Sequence, residues 1–485
     1  MWLPRAPLPT DLPDIAEVVA TLAVHADLFD RCAPLVLARA PGRLDLMGGI
    51  ADYCGALVLE LPLACATLVA AQLVDAPDIL VRSLDGSATG SVADVQIDLA
   101  DLAPGGMVLD ETAAHRLLTA DPARAWAAYV LGPLVTLARA YDLRLLRGLR
   151  LLITSSVPTG KGVSSSAAIE VASMQALAAL LGVDLSGREL ALLCQRAENL
   201  VVGAPCGVMD QMTAACGTAG ELLALRCQPA ELEPGVALPA GLEVWGIDSG
   251  IRHAVSGADY GAVRVGAFMG YRILADLVGL SVQACGPGRV AIADPRWGGY
   301  LANLAPSEWE QHYAARLPVS LSGAAFLAQY GGTTDTVTQV EAAQTYAVRA
   351  PTAHPVYEHQ RVRLFRAMLL AGAASEEERW LLGELMYQSH ASYSACGLGS
   401  DGTDRLVALA REAGPREGIY GAKITGGGSG GTVAMLARRD SEPSVRELAR
   451  AYVAETGRPA MVLGGSSPGA VALGARWLGP IGTFD

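Results

Sequence analysis

Short apolar runs broken by glycine set the pattern of hydrophobic and polar positions in the first part of this chain. Between residues 35 and 74 these runs predict strands on either side of a glycine-containing loop, GRLDLMGGIADY at 42–53. The stretch 56–74 is nearly long enough to cross a bilayer, but Glu60, Pro62 and the lack of basic flanks favour a pair of buried strands. A further buried strand is predicted at 148–160, where it runs into a turn.

Helical signals follow that turn. Small and straight-chain residues from 163 onward predict a helix that ends at Gly182. Ser186, followed three residues later by Glu189, forms a capping-box pattern that opens the next helix. Near the C-terminus, 421–439 predicts a strand, a glycine loop and a strand, and 441–457 predicts a closing helix. Strands and helices alternate without strict βαβ order, which indicates an α+β or mixed α/β enzyme.

The composition is typical of a compact enzyme. The chain has 485 residues, of which 51% are hydrophobic and 18% charged, so we expect two domains or one large α/β domain. The net charge of −13 argues against a nucleic-acid partner, which would need a basic face. Nine cysteines without a CxxC pair, and an N-terminus without the features of a signal peptide, predict a cytoplasmic protein with no membrane partner.

The segment VPTGKGVSSSAA at 157–168 carries the strongest local signal for a ligand. A glycine-rich turn that leads into three serines presents backbone N–H groups and hydroxyls at the positive end of a helix dipole, which predicts phosphate binding. It is not a Walker A loop, because Gly162 follows Lys161 where Ser or Thr is required. An ordinary serine cap after a turn is the structural alternative.

A second glycine loop, TGGGSGG at 425–431, matches two well-known patterns through its glycine density alone. A dinucleotide site would need a helix after the loop, and the sequence there predicts a strand. A serine hydrolase would need a histidine after Ser429, and the last histidine of the chain is His390. A loop that approaches a ligand or another loop remains, with a structural hairpin as the alternative. The only two lysines, Lys161 and Lys423, lie in or beside the two glycine-rich segments.

Two acids lie close to a predicted break between helices. Glu198 falls at the end of the capped helix, and Asp210 follows it after the segment PCGVM. Beside a phosphate loop, such a pair suggests one metal ligand and one general base. By position alone, each is as easily explained as an ordinary surface acid.

Together these segments resemble the GHMP kinase superfamily, and its galactokinase branch in particular, from about residue 37 to the C-terminus. The motifs that carry the resemblance are PGRLDLMGGIADY (41–53), WAAYVLG (126–132), VPTGKGVSSSAAIEVA (157–172), PCGVMDQM (205–212) and ITGGGSGG (424–431). The resemblance implies an α+β, two-domain GHMP kinase fold with the active site in the cleft. An S5-like α/β N-terminal domain at 35–240 and a ferredoxin-like C-terminal domain at 241–485 would follow an N-terminal extension at 1–34.

The resemblance also implies roles for individual residues. Asp210 would take or orient the proton of a sugar's anomeric hydroxyl, and Arg43 would stabilise this aspartate and the developing negative charge. Ser166 and Glu198 would hold Mg²⁺ between the phosphates of ATP. The residues implied for the sugar are Gly49, Ile50, Asp52, Tyr53, Cys206, Gly207 and Tyr260. Those implied for ATP are Trp126, Tyr129, Pro158, Gly160, Lys161, Gly162, Ser164, Ser165, Ser166, Gly427 and Gly428.

One departure from the family bears on the sugar. Galactokinases carry a Glu-His pair where this chain has Gly49 and Ile50, and that pair holds the C6 end of galactose. L-Arabinopyranose is D-galactose without C6, and the wider sequence is similar to the kinase part of plant L-arabinokinases. The resemblance therefore implies an ATP-dependent L-arabinose 1-kinase that makes β-L-arabinose 1-phosphate. Changing both residues to Glu and His should then raise galactose use.

Three other functions fit the same motifs. A galactokinase uses the same motifs, and so does a kinase for galacturonic acid, although no arginine or lysine stands at 49–51 to meet an acidic sugar. A catalytically silent sugar sensor on the same fold is a third possibility. In each case we expect a small sugar as the partner, and a monomer or weak homo-oligomer.

Overall fold

The computed structural model describes residues 2–4, 9, 11–86, 91–252 and 258–480. In chain order its strands are β1 (Trp2–Pro4), β2 (Leu35–Met47), β3 (Leu57–Val74), β4 (Asp78–Gly86), β5 (Ser91–Asp98), β6 (Gly148–Ser155), β7 (Glu221–Arg226), β8 (Glu231–Ala237), β9 (Leu242–Asp248), β10 (Ser281–Gly286), β11 (Arg289–Ala293), β12 (Ser320–Ser322), β13 (Thr345–Ala347), β14 (Ile419–Ile424), β15 (Thr432–Arg438), β16 (Val462–Leu463) and β17 (Arg476–Pro480).

The α-helices lie between these strands. They are α1 (Pro13–Val24), α2 (Leu99–Leu102), α3 (Glu111–Thr119), α4 (Ala128–Ala140), α5 (Ser165–Leu181), α6 (Gly187–Ala197), α7 (Met209–Cys216), α8 (Ala258–Leu277), α9 (Pro306–Glu308), α10 (Gly323–Tyr330), α11 (Arg349–Leu370), α12 (Glu376–Ala395), α13 (Asp401–Ala413), α14 (Glu442–Thr456) and α15 (Ala470–Leu473). The predicted helices at 163–182 and 441–457 are confirmed.

The first sheet has the order β1-β17-β2-β3-β6-β4-β5, with β7 paired to β3 and β8 paired to β7. The prediction of two strands at 56–74 is wrong, because β3 is continuous across Glu60 and Pro62. Different neighbours cover its two ends: residues 57–60 pair with β7, and residues 67–74 pair with β6. Because a neighbouring strand pairs with each end of β3, the strand continues unbroken through Glu60 and Pro62.

Helices α4 to α7 pack on this sheet around a common apolar core. Helix α5 ends at Gly182, whose φ of +70° is a conformation that glycine adopts at little cost, so this predicted end is confirmed. The Ser186 hydroxyl accepts a hydrogen bond of 3.2 Å from the Glu189 N–H and thereby caps α6. The sequence signals for both helix ends therefore held.

The second sheet has the order β14-β15-β9-β16. The strand, glycine loop and strand predicted at 421–439 correspond to β14 and β15. The chain passes from the first sheet to the second between β8 and β9, where the predicted boundary at 240/241 lies. Near the C-terminus β17 returns to the first sheet and pairs with β2, and α1 shares its apolar core. No helix among the described residues is long and apolar enough to span a bilayer.

Candidate functional site

A cavity of about 630 Å³ gathers side chains from distant parts of the chain. Its wall comes from β2 and the loop after it, the segment before α4, the loop between β6 and α5, the segment before α7, and the glycine loop between β14 and β15. The predicted site residues that line it are Arg43, Ile50, Asp52, Trp126, Tyr129, Gly160, Gly162, Ser164, Ser165, Ser166, Glu198, Cys206, Gly207, Asp210, Tyr260 and Gly427.

A charged centre lies in the wall of this cavity. Arg43 in β2 donates to Asp210 Oδ1 from Nε at 2.9 Å and from Nη2 at 2.7 Å. Ser164 donates to the other oxygen, Asp210 Oδ2, at 2.5 Å. Arg43 is buried, whereas the Asp210 side chain keeps 21% of its exposure, on the cavity side. The arrangement holds a carboxylate in one orientation and leaves it accessible to a ligand.

The start of α5 faces the same cavity. Ser164 has a φ of +60°, and its hydroxyl binds Asp210 instead of capping its own helix. The turn before it contains Gly160 and Gly162 at φ values of +72° and +70°. Such backbone brings N–H groups and the positive end of a 17-residue helix to the cavity, which suits an anion.

A polar pocket adjoins the charged centre. Asp52 is 3% exposed, and its Oδ1 has no hydrogen-bond partner among the described residues. A Cβ placed on Gly207 would lie 1.5 Å from Asp52 Oδ2, so only glycine fits against this carboxylate. Burial and the charge of Asp210 raise the pKa of Asp52 from 3.8 to about 6. An unpartnered acceptor here suits the hydroxyls of a small polar ligand.

Comparison with known proteins agrees with this geometry. The family model for the GHMP kinases N terminal domain matches residues 128–218, that for the GHMP kinases C terminal matches 373–458, and the galactokinase galactose-binding signature matches 23–73. A galactokinase of Chloroflexus aggregans is 33% identical over 88% of this chain and 90% of its own length. The chain belongs to the GHMP kinase family.

Another relative of this GHMP kinase is the L-arabinokinase of Arabidopsis thaliana, which is 42% identical over 92% of the chain. The chain spans about half the length of that protein, 47%. Among solved structures, galactokinase of Lactococcus lactis complexed with galactose has a TM-score of 0.71 and 21% identity, covering 93% of this chain and 99% of its own. Mevalonate kinase of Methanococcus jannaschii has a TM-score of 0.55 and 13% identity, covering 89% and 98%. Both likenesses concern the fold, and the predicted two-domain GHMP kinase fold is confirmed.

In this GHMP kinase a carboxylate and a hydroxyl lie together, and each has oxygen atoms of the kind that bind metal ions. The Ser166 hydroxyl hydrogen-bonds to Glu198, and Gln211 Nε2 donates to Glu198 Oε2 at 2.5 Å. Burial and the charge of Asp210 raise the pKa of Glu198 to about 7. Glu170 lies behind Gln211, fully buried, and its Oε1 has no partner among the described residues. No group of three or more His, Cys, Asp and Glu in the described part of the chain could hold a metal ion by itself.

Five predicted residues of the GHMP kinase do not line the cavity. A Cβ on Gly49 would meet Tyr393 Oη at 1.9 Å and Asp45 Oδ2 at 2.2 Å, so this position faces the protein interior. Lys161 turns to Asp248, 2.7 Å away. The Tyr53 ring packs edge-to-face against the Tyr260 ring. The remaining two, half-buried Pro158 and Gly428, which faces Leu398, also lie outside the lining.

Sequence reasoning missed the charges behind Arg43. Glu60 in β3 lies 3.2 Å from Arg43 Nε, and Asp45 pairs with Lys423 at 2.7 Å, both of the latter fully buried. Burial raises the pKa of Glu60 well above its ordinary value, and the charge of Asp45 adds to the rise. The register of β2 against β3 sets Asp45 opposite Glu60, and Lys423 reaches Asp45 from β14 in the second sheet.

Several other residues of the cavity wall were also not predicted from the sequence. Sequence alone offered no local signal for them, since they are ordinary strand and helix positions. Those lining the cavity include Thr67, Ser83, Ile153, Ile169 and Met209.

Replacing Asp52 by asparagine is expected to stabilise the ligand-free protein at pH 8. The folded state raises the pKa of Asp52 from 3.8 to about 6, so the folded protein binds more protons between these values and its free energy of unfolding falls as pH rises through them. Removing the charge should raise that free energy by roughly 2 kcal/mol at pH 8. Urea unfolding measures it. At pH 4 the gain should be much smaller, which is the internal control, and a loss of stability at pH 8 would contradict the argument.

Proposed function

We propose that this protein is an ATP-dependent sugar 1-kinase that phosphorylates the anomeric hydroxyl of L-arabinose to β-L-arabinose 1-phosphate. The observation that carries the kinase assignment is the position of Asp210. Arg43 and Ser164 hold its carboxylate between a helix N-terminus suited to phosphate and a pocket suited to sugar hydroxyls. A phosphate donor and a hydroxyl acceptor can meet only where these two surfaces join.

The geometry supports separate roles for three residues in phosphoryl transfer. Asp210 would accept or orient the proton of the anomeric hydroxyl. Arg43 would hold this carboxylate in place and offset negative charge on the transferring phosphoryl group. Burial alone would lower the pKa of Arg43, but the charges of Asp210, Glu60 and Asp45 raise it above its ordinary value, so the guanidinium stays charged. Asp52 would hold ring hydroxyls.

Mg²⁺, which the kinase family implies, fits the donors present. Glu198 and Ser166 offer a carboxylate and a hydroxyl, the hard oxygen ligands that this ion prefers. Two buried carboxylates, Glu198 and Glu170, lie here, and burial together with neighbouring carboxylates raises the pKa of both. We propose that Glu198 and Ser166 hold Mg²⁺ with ATP, where the ion would neutralise phosphate charge.

The choice of L-arabinose is supported by Ile50 and by the 42% identity to an L-arabinokinase. Ile50 lines the cavity and packs with Val263, Tyr393 and Leu398. Its apolar side chain offers no partner to the C6 hydroxyl that galactose carries and L-arabinopyranose lacks. By itself such a wall discriminates by only about 10²-fold, so we expect slow galactose turnover.

A galactokinase is the second candidate, favoured by the galactose-binding signature at 23–73. The deciding experiment is ADP release by purified protein with ATP and Mg²⁺ and one of three sugars: L-arabinose, D-galactose or D-galacturonate. We expect L-arabinose to give the highest kcat/KM. Galactose ahead would keep the kinase and remove the argument from Ile50. Sugar binding without ADP release would favour the silent sensor.

The conversion of Ile50 to histidine is expected to raise the ratio of galactose to L-arabinose kcat/KM about tenfold. Ile50 has a φ of +51°, which is rare for a β-branched residue, and histidine tolerates this conformation better. Gly49→Glu is left out of this experiment, because the backbone points the side chain at position 49 toward Tyr393 and Asp45. Leu370→His, on an exposed end of α11, is the control. An unchanged ratio in the folded variant would contradict the role of Ile50.

We also propose that the protein works in the cytoplasm as a monomer or weak homo-oligomer. All nine cysteines are free thiols, as is usual in a reducing compartment. Light scattering on the purified protein measures the oligomeric state directly.

A further inference from the structure

The long segment between β11 and α11, residues 294–348, reaches the sugar side of the cavity through one ion pair. Asp335 in this segment accepts from Arg264 of α8 at both oxygens, at 2.7 Å and 2.8 Å. Arg264 is 5% exposed and Asp335 is 3% exposed. A buried, two-pronged pair of this kind fixes the guanidinium plane and leaves it one free direction.

The remaining nitrogen of Arg264 points at the residues that surround Asp52. Arg264 Nη1 donates to the Cys206 carbonyl at 3.1 Å, directly before Gly207, whose backbone lies against the Asp52 carboxylate. The guanidinium also lies 5.2 Å from the centre of the Tyr53 ring, directly after Asp52 in the chain. Arg264 thus contacts Cys206, which precedes Gly207, and Tyr53, which follows Asp52, while staying outside the cavity lining.

Asp335 is held in place by its own loop. Its carboxylate accepts from the backbone N–H groups of Val337 and Thr338 at 3.1 Å and 3.2 Å, and from the Thr338 hydroxyl at 2.6 Å. Two residues earlier, Thr333 exchanges backbone hydrogen bonds with the β10–β11 hairpin through Gly288 and Val290. The acceptor for Arg264 is therefore set by contacts that do not involve the cavity.

We propose that Arg264 and Asp335 are positioning residues for sugar binding, and that residues 294–348 serve the active site by supplying Asp335. The pair holds the Cys206–Gly207 backbone and the Tyr53 ring in place next to Asp52, so that this carboxylate meets the sugar hydroxyls in one orientation. The inference rests on the proposed sugar-kinase function.

The test is Asp335→Asn, which removes the charge and keeps the shape of the side chain. We expect the KM for sugar, and the Kd for sugar measured by calorimetry without ATP, to rise roughly tenfold or more. The KM for ATP should change by less than about twofold, since the pair lies away from the phosphate loop. A merely structural role would not separate the two substrates in this way.

The matched control is Asp276→Asn. Asp276 is the partner of Arg272 on the same helix, at 3.7 Å, but it is 59% exposed and lies away from the cavity. Asp276→Asn should leave the KM for sugar and the KM for ATP unchanged. Arg264→Lys is the second variant, because it keeps the charge and loses the two-pronged geometry, and thermal unfolding verifies that each variant is folded. Arg264→Lys should also raise the Kd for sugar.

The outcomes separate this proposal from the proposed function. Folded Asp335→Asn protein with the wild-type sugar Kd, or with equal losses for sugar and ATP, would overturn the positioning role alone. If Asp335→Asn does not fold, the same criteria apply to Arg264→Lys. Failure of the wild-type protein to bind any of the three sugars would overturn the proposed function, and this inference with it.

Discussion

Asp210→Asn is expected to lower kcat for sugar phosphorylation by about 10³-fold. The amide keeps the size of the side chain but cannot accept a proton from the anomeric hydroxyl, and it weakens the charged contacts to Arg43 and Ser164. Sugar binding should persist or tighten, because the charge of Asp210 is one cause of the raised pKa of Asp52. ADP release gives kcat, and calorimetry gives the Kd for sugar.

The control for this variant is Asp440→Asn. Asp440 also pairs with an arginine, Arg438 at 2.5 Å, but both side chains are exposed, so activity should not change. Loss of sugar binding together with kcat in Asp210→Asn would show that the aspartate serves binding and not the transfer step. Retention of kcat would remove Asp210 from the mechanism altogether.

Arg43→Met is expected to lower both kcat and stability. Arg43 compensates the carboxylate of Asp210 and lies beside Glu60 and Asp45, all within the protein. Removing one partner of a buried ion pair commonly costs 3–5 kcal/mol, and here we expect about 3 kcal/mol, because Asp210 is partly exposed and Glu60 can take up a proton. Urea unfolding at pH 7.5, roughly one unit above the usual pKa of histidine, measures the loss.

Arg39→Met is the matched control on the same strand. Arg39 is also buried and pairs with Asp14 at 2.7 Å, but it does not line the cavity. This variant should lose stability while the folded protein keeps its kcat. An Arg43→Met protein as stable as the wild type would show that Glu60 takes up a proton without Arg43, and would limit the role of Arg43 to the transfer step.

The elements and motifs that could be predicted from sequence depend on short stretches of chain. Gly182 ends α5 and Ser186 begins α6 through contacts within a few residues. The phosphate loop and the Asp210 segment could likewise be recognised in the sequence, because their glycines, serines and acids lie close together along the chain. Their meeting in one cavity followed from the family resemblance, and the family and fold are confirmed.

Side-chain direction in the sugar loop was not predictable in the same way. Gly49 and Ile50 are adjacent, and sequence reasoning placed both at the sugar. The left-handed backbone of Ile50 turns its side chain to the cavity, whereas position 49 faces Tyr393, which is far along the chain. Residues next to each other in a loop can thus face opposite surroundings.

What the sequence by itself determined is the set of local features: the helix ends, the glycine turns, the strand and loop order, and the motifs of the GHMP kinase family. Only the tertiary structure decided which charges meet, as in the pairs of Asp45 with Lys423 and of Arg264 with Asp335. The physical reason is range. Backbone preferences and caps act over a few residues, whereas a buried charge finds its partner through strand register and helix packing, which are properties of the whole fold.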